Sequence, residues 1–343
     1  MKYTIGYQLP DGYDSTYSLC CDYREHISGV YFSFANQKGG RMPLCSDDEQ
    51  SVKEVGDYQL EELKEIRKLG IPTTLLFNAN CYGQEANSKD FAKQMICLAE
   101  YLKKEVDISS ITTTSPFLAK NLKGFFGKEI EITASVNMAV GTPQGVDQLG
   151  EFFDGFYIKK ELIRQTDKIN ELRSYCDKNG KKLRVLANGG CISFCAFSTY
   201  HDNLVAHHNY MQISENDEEF PSPCWEYLHG LPENEALAKI LASNWIRPED
   251  VKNYEGLFDE MKLATRMHSS PRRVVSAYAR GKFSGNILDL FEPSYSSLFS
   301  GIVLDNTRFP EDWFEKTSKC GKNCHTCNYC AQVVQKIRKN FYL

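Results

Sequence analysis

Four cysteines fall within eleven positions near the end of the chain, at Cys320, Cys324, Cys327 and Cys330, flanked by Lys319, Lys322 and Asn323. Four thiolates so closely spaced can surround either a tetrahedral zinc ion or a cubane of iron and sulfide, and spacing alone does not separate the two. One tight run rather than two separated knuckles favours a 4Fe-4S cluster, with zinc the alternative for this tail. The first three cysteines reproduce the spacing of radical enzymes that cleave S-adenosylmethionine. That motif, however, belongs after an early barrel strand and leaves one iron open, whereas Cys330 can close the set here. The tail therefore reads as a structural or electron-relay centre.

A second sulfur group lies in Asn188-Gly189-Gly190-Cys191-Ile192-Ser193-Phe194-Cys195. Its two glycines let backbone approach a bulky ligand, and Cys224 of Pro223-Cys224-Trp225 offers a third thiolate. The fourth ligand is Cys45, in Gly39-Gly40-Arg41-Met42-Pro43-Leu44-Cys45, or Cys81, in Asn78-Ala79-Asn80-Cys81, with Cys45 preferred. The chain holds thirteen cysteines, an odd number, and no export signal, so ligation explains them better than disulfides. Cys20, Cys97 and Cys176 read instead as small buried hydrophobes.

The elements that must position these groups alternate between short β-rich runs and helical segments. Candidate strands are Tyr3–Leu9, Gly29–Phe34, Thr73–Asn78, Ser109–Thr114, Glu131–Val136, Gly155–Lys159, Leu183–Ala187 and Glu260–Leu263. Helices are expected at Gln59–Lys68, where Leu60, Leu63 and Ile66 recur at helical spacing before Gly70, at Asp90–Lys104, at Leu162–Asn179 and from Ser269-Ser270-Pro271 to Arg280. Eight such pairs predict a (βα)8 TIM-barrel-like α/β fold, whose sites gather where the strands end. A doubly wound sheet is the weaker alternative, since Leu9-Pro10-Asp11-Gly12-Tyr13 after the first strand lacks a Gly-rich phosphate fingerprint. The expected organisation is a barrel domain over 1–310, with an insertion of little regular structure at 192–244, and a cysteine-rich metal-binding tail over 311–343. The insertion carries the acidic run Glu215-Asn216-Asp217-Glu218-Glu219.

Composition narrows the function classes. The 343 residues are 42% hydrophobic and 25% charged, enough for a sizeable core, and 40 basic against 45 acidic residues give a net charge of −5. That balance offers nucleic acid and anionic lipid no general attraction. No apolar run is long enough to cross a bilayer and Met1-Lys2-Tyr3-Thr4 does not open a signal sequence, so cytoplasmic residence without membrane insertion is expected. His201, His207, His208, His229 and His325 match no zinc-protease spacing and read as solvated loop residues. Neither a serine-hydrolase elbow nor a P-loop is present.

From the fifth strand onward the chain resembles the collagenase-like peptidases, peptidase family U-thirty-two. The resemblance rests on Ser135-Val136-Asn137, Lys160-Glu161-Leu162, the cysteine-bearing end of the seventh strand and Lys262-Leu263-Ala264-Thr265-Arg266. The family's last motif is usually Lys-Ile-Glu-Gly-Arg, so Ala264 and Thr265 replace its Glu and Gly. The resemblance implies a barrel fold and, in one branch, the small accessory partners of anaerobic ubiquinone hydroxylation, a 4Fe-4S cluster held by one cysteine after the second strand and three around the seventh. Carried over, these are Cys45, Cys191, Cys195 and Cys224. The tail motif has no counterpart in those relatives.

Together these features lead to an oxygen-independent oxidoreductase or hydroxylase acting on a small molecule or biosynthetic intermediate. One cluster would sit at the barrel mouth and a second in the tail. Glu161, Asn188, Lys262 and Arg266 are the catalytic candidates, with Lys262 and Arg266 suited to an anionic substrate, and Asn78 and Asn137 are the substrate-binding candidates. The alternatives are a non-catalytic iron–sulfur partner that passes electrons to another enzyme, RNA base hydroxylation by family analogy, and a metal-dependent peptidase. The acidic balance argues against a large nucleic-acid footprint.

Overall fold

A computed structural model describes residues 1–10, 14–207 and 223–340. Asp11-Gly12-Tyr13, His208 and the acidic run from Glu215 to Glu219 lie outside the described residues. The β-rich runs become β1 (Tyr3–Gly6), β2 (Ile27–Phe32), β3 (Thr73–Phe77), β4 (Ser110–Thr113), β5 (Glu131–Ala134), β6 (Gly155–Tyr157), β7 (Lys182–Leu186) and β8 (Glu260–Lys262). Each pairs in parallel with its sequence neighbour, and β1 closes on β8 with Tyr3 opposite Met261 and Thr4 opposite Lys262. The result is a closed eight-stranded parallel barrel surrounded by helices, as the alternation predicts.

Helices start where side chains can satisfy their free N–H groups. Asp48, Ser88, Ser115 and Thr142 cap the helices Glu49–Lys68, Lys89–Val106, Pro116–Phe126 and Pro143–Leu149, the last two with proline in the first turn. Residues such as Leu63, Ile66, Ala99, Leu102, Leu118 and Leu122 turn inward and pack on the outward-facing strand residues Ile5, Phe32, Ile111 and Ile132. This ring of apolar contacts is the core. Among the described residues, no helix is long and apolar enough to cross a membrane.

The inside of the barrel is polar, whereas branched aliphatic side chains usually fill it. At its floor Arg184 pairs with Glu131 and Glu260, and Lys182 also reaches Glu131. Burial alone would raise the pKa of Glu131, but Arg184 and Lys182 outweigh it and hold the carboxyl below its ordinary value. Gly155 makes the network spatially feasible, because a Cβ there would stand 1.9 Å from Arg184 Nη1. Above the floor Tyr157 donates to Glu260 Oε1 at 2.5 Å, and the Lys262 ammonium lies 3.5 Å from the Tyr31 ring centre and 5.5 Å from that of Tyr157.

The stretch 192–244 differs from its expected irregularity, since it holds helices at Ser198–Ala206, Pro223–His229 and Glu233–Leu241. After the barrel, Trp313–Thr317 and Tyr329–Ile337 are also helical, and Ile302–Leu304 pairs antiparallel with Arg338–Asn340. Helix Tyr329–Ile337 packs on Glu233–Leu241. Arg164, only 4% exposed, is sandwiched with its guanidinium 5.0 Å from the Trp245 ring and 5.1 Å from the Trp313 ring. Trp313 in turn stacks on Tyr329. This aromatic column fastens the cysteine-rich tail to the barrel.

Candidate functional site

The C-terminal ends of the strands form the mouth, where the loops after β2, β3, β5, β6, β7 and β8 meet. Asn78, just beyond β3, accepts from the Gly40 N–H at 3.0 Å through Oδ1 and so ties the loop after β2 across the opening. A Cβ on Gly40 would lie 3.0 Å from Asn78 Nδ2 and 3.2 Å from Asn137 Nδ2, and one on Gly39 would lie 2.8 Å from Ser33 Oγ. These two glycines let the backbone roof the mouth at close range. Arg41 follows them, and its Nε binds Glu292 Oε1 at 3.0 Å. Burial works against the Arg41 guanidinium, but Glu292 and Cys191 keep its pKa above the usual value.

The catalytic candidates occupy unlike positions. Asn188 is fully buried, with Nδ2 donating to the carbonyls of Ala264 and Leu290 at 2.9 Å each and Oδ1 accepting from Ala264 N–H at 2.6 Å. Its amide is thus committed to backbone and holds β7 to the segments after β8. Arg266 is 5% exposed and donates to Ser33 Oγ, while burial lowers its pKa to about 10. Burial lowers that of Lys262 to about 7, helped by the Arg266 charge. Glu161 stands on the short 3-10 turn Lys160–Arg164 next to Lys160, whose pKa is raised by Cys191. The candidates Asn78, Asn137, Lys262 and Arg266 therefore share the mouth, Glu161 stands on its rim, and Asn188 serves as a brace.

Of the proposed mouth ligands, Cys191, Cys195 and Cys224 lie near enough to influence one another electrostatically. The Cys224 thiol is pushed up to about 11 by burial and then by Cys191 and Cys195, and Cys195 is raised by burial. All three sulfurs act electrostatically on Tyr295, a fully buried residue whose hydroxyl has no hydrogen-bond partner. Cys45 is set apart: after burial, the charges that raise it are Asp48 and Asp47, and no sulfur is among them. Cys81 Sγ accepts from Gly83 N–H at 3.4 Å.

In the tail, Cys330 is raised to about 11, mainly by burial, with Cys320 and Cys324 adding to it, while Cys324 and Cys327 are exposed. Lys322, in left-handed backbone with φ 58°, donates through Nζ to Ser193 Oγ and to the Ala242 carbonyl, both at 2.8 Å. Ser193 stands between Cys191 and Cys195, so one lysine links the loop bearing the tail thiols to the turn bearing the mouth thiols. Burial lowers Lys322 to about 8. Cys20 and Cys176 are buried, as expected for small hydrophobes, but Cys97 is exposed because it falls on the solvent side of its helix. Nor is His201 a solvated loop residue, since it lies on a helix where burial lowers its pKa.

Both sulfur groups fit a thiolate-held centre in donor chemistry, and the orphaned Tyr295 hydroxyl adds a buried donor beside the mouth group. Among the described residues, however, no three His, Cys, Asp or Glu side chains stand close enough to hold a metal ion as placed. Sequence reasoning missed Arg41, Glu292, Tyr295, Ser33, Lys160 and Lys322. Arg41 and Lys322 were within reach, because both stand inside the cysteine segments; Glu292 and Tyr295 belong to no motif.

No family model matches the chain. It is 26% identical over 324 residues to the Uncharacterized protease MJ1657 of Methanocaldococcus jannaschii, covering 91% of this chain and 89% of that protein. Among solved structures it is similar to the U32 peptidase Mk0906, with a TM-score of 0.54 at 17% identity over 77% of this chain and 93% of that one. At that identity the likeness concerns the fold. The resemblance to peptidase family U-thirty-two read from the second half of the sequence is borne out by both comparisons.

Proposed function

We propose that the chain is an iron–sulfur protein that works as an oxygen-independent oxidoreductase or hydroxylase on a small molecule or biosynthetic intermediate in the cytoplasm. The observation that supports this reading is the electrostatic influence that Cys191, Cys195 and Cys224 share on the buried Tyr295, whose hydroxyl has no partner. These three would hold the mouth cluster, with Cys45 or Cys81 completing it, and Cys320, Cys324, Cys327 and Cys330 would hold the second centre, as a cluster or zinc. When bound, an iron–sulfur group supplies one-electron chemistry.

The chain's own contribution is charge, proton placement and exclusion of water. Lys160 and Arg41 set positive charge beside Cys191, which would offset the negative charge of a thiolate-held group there. Tyr295 can donate its proton in a hydrogen bond to sulfur, giving its hydroxyl the partner it lacks. The roof formed by Gly39 and Gly40 shields the mouth from water.

The exposure of Cys324 and Cys327 favours a second reading, a partner that exchanges electrons with another protein at the tail. A metal-dependent peptidase keeps the support of a relative's name but lacks a general-base motif here. The test is metal and sulfide content after anaerobic purification. About eight iron atoms per chain support two cubanes and about four support one. Zinc without iron overturns the reading. Cys191→Ser should remove the mouth iron and leave the fold intact.

A further inference from the structure

We infer that the barrel mouth contains a binding site for a small anion, a carboxylate or phosphate group, seated between the Lys262 ammonium and the Arg266 guanidinium. The inference does not depend on the redox reading and would hold for any chemistry at this mouth.

Its basis is charge without a counter-charge. Lys262 closes β8 deep in the barrel, and its ammonium has the Tyr31 and Tyr157 rings for neighbours but makes no hydrogen bond to any described residue. The carboxylate of Glu260, which could have neutralised it, is taken by Tyr157 and Arg184. Arg266 uses one of its five N–H donors, on Ser33. The nearby Glu292 is bound instead by Arg41 at 3.0 Å and by Met267 N–H at 3.3 Å. Among the described residues, no ion pair within 4.0 Å joins a carboxylate to either cation, and the Arg266 charge acts against that of the buried Lys262.

An unpaired buried charge is among the costliest features a fold can carry, and two neighbouring like charges compound it. A negative group between them removes both penalties at once. Lys262 also keeps some accessible surface despite its depth, so its side chain is not wholly sealed off. Asn137, whose side-chain amide bonds to no described residue, stands under the glycine roof at the same mouth and offers the anion a neutral donor. The carboxylate of an organic acid and a phosphate ester present the same oxygen chemistry here, and the experiment separates them.

The experiment is calorimetric titration of the purified full chain, in low-chloride buffer close to neutral pH, with inorganic phosphate and separately with malonate. One equivalent of at least one of them is expected to bind, and the one bound more tightly identifies the substrate's anionic group. Lys262→Met and Arg266→Gln should each weaken binding roughly tenfold to a hundredfold, the equivalent of a lost charge-assisted hydrogen bond. Lys168→Ala, on the outer surface, should bind as the parent does. Should Arg266→Gln fail to fold, Lys262→Met alone decides the matter, since methionine fills the same volume. Failure of both anions to bind the parent chain at millimolar concentration overturns the inference. So does binding that survives the Lys262 substitution undiminished. Because neither outcome involves iron, failure here is distinct from failure of the cluster assignment.

Discussion

Replacement of Lys262 by methionine should change how stability responds to pH. The ammonium sits in the barrel with a pKa brought down to about 7 by burial and by Arg266, whereas the unfolded chain returns it to its ordinary value of 10.5. Between those values the unfolded chain carries a proton that the folded chain lacks, so unfolding takes up a proton and stability rises with pH. Below about 7 both states are charged and the folded protein bears the full cost of the buried cation. One pKa unit corresponds to about 1.4 kcal/mol, so from near pH 7 to two units above it this group adds up to about 3 kcal/mol of stability. Methionine removes the titration and leaves the other groups in place. Urea unfolding of both proteins at a series of pH values should show the variant ahead at acid pH and losing that lead by about 3 kcal/mol on the alkaline side. A separation between the two curves that stays level across this window would refute the idea of an uncompensated lysine.

Other substitutions probe the remaining parts of the site. Asn188→Ala removes three buried hydrogen bonds to backbone, so a loss of roughly 3 kcal/mol in chemical denaturation is expected; a loss below about 0.5 kcal/mol would show that the amide is not a brace. Tyr295→Phe deletes a hydroxyl with no partner, so the metal-free variant should match or exceed the parent by up to about 1 kcal/mol, and clear destabilisation would reveal a partner for it. Gly155→Ala drives a methyl into Arg184 and should cost roughly 1–3 kcal/mol, whereas Gly124→Ala, at an open helical position, should not disturb the Arg184 network; the comparison needs only the two thermal midpoints and the Glu131 titration. Lys322→Met cuts the bonds to Ser193 and Ala242 and should speed amide exchange in the Cys191–Cys195 turn; unchanged exchange would remove the lysine as a connector.

Much of the fold was legible because a parallel barrel is built from local patterns. The run Thr73–Asn78 and the helical spacing of Leu60, Leu63 and Ile66 are properties of neighbouring residues, and their alternation leaves few topologies. The strands end a residue or more earlier than their apolar runs, at Gly6, Phe32 and Phe77 for example, because the last residues turn out of the ladder to build the mouth. Of the helices in 192–244, Ser198–Ala206 has little apolar periodicity to announce it, whereas Glu233–Leu241 carries Leu237, Ile240 and Leu241 at helical spacing and was legible in principle. The mouth was legible only where chemistry is concentrated in a short segment. The cysteine groups declared themselves, while the pairing of Arg41 with Glu292, the isolation of Tyr295 and the taking of Glu260 by Arg184 are relations across the whole chain that no spacing encodes. Asn188 shows the converse, a residue whose place at a strand end suggested chemistry but whose atoms are fully engaged by backbone.

The fastening of the tail to the turn between Cys191 and Cys195 has a consequence for biogenesis. A chain emerging from the ribosome presents that turn long before Lys322 exists to hold it. The sulfur-bearing mouth therefore reaches its final shape only after the segment carrying Lys322 has been made and has docked. Any factor delivering inorganic material to the mouth would meet a pliant receptor beforehand and a braced one afterwards, and a shortened chain would keep the barrel but lose the clasp.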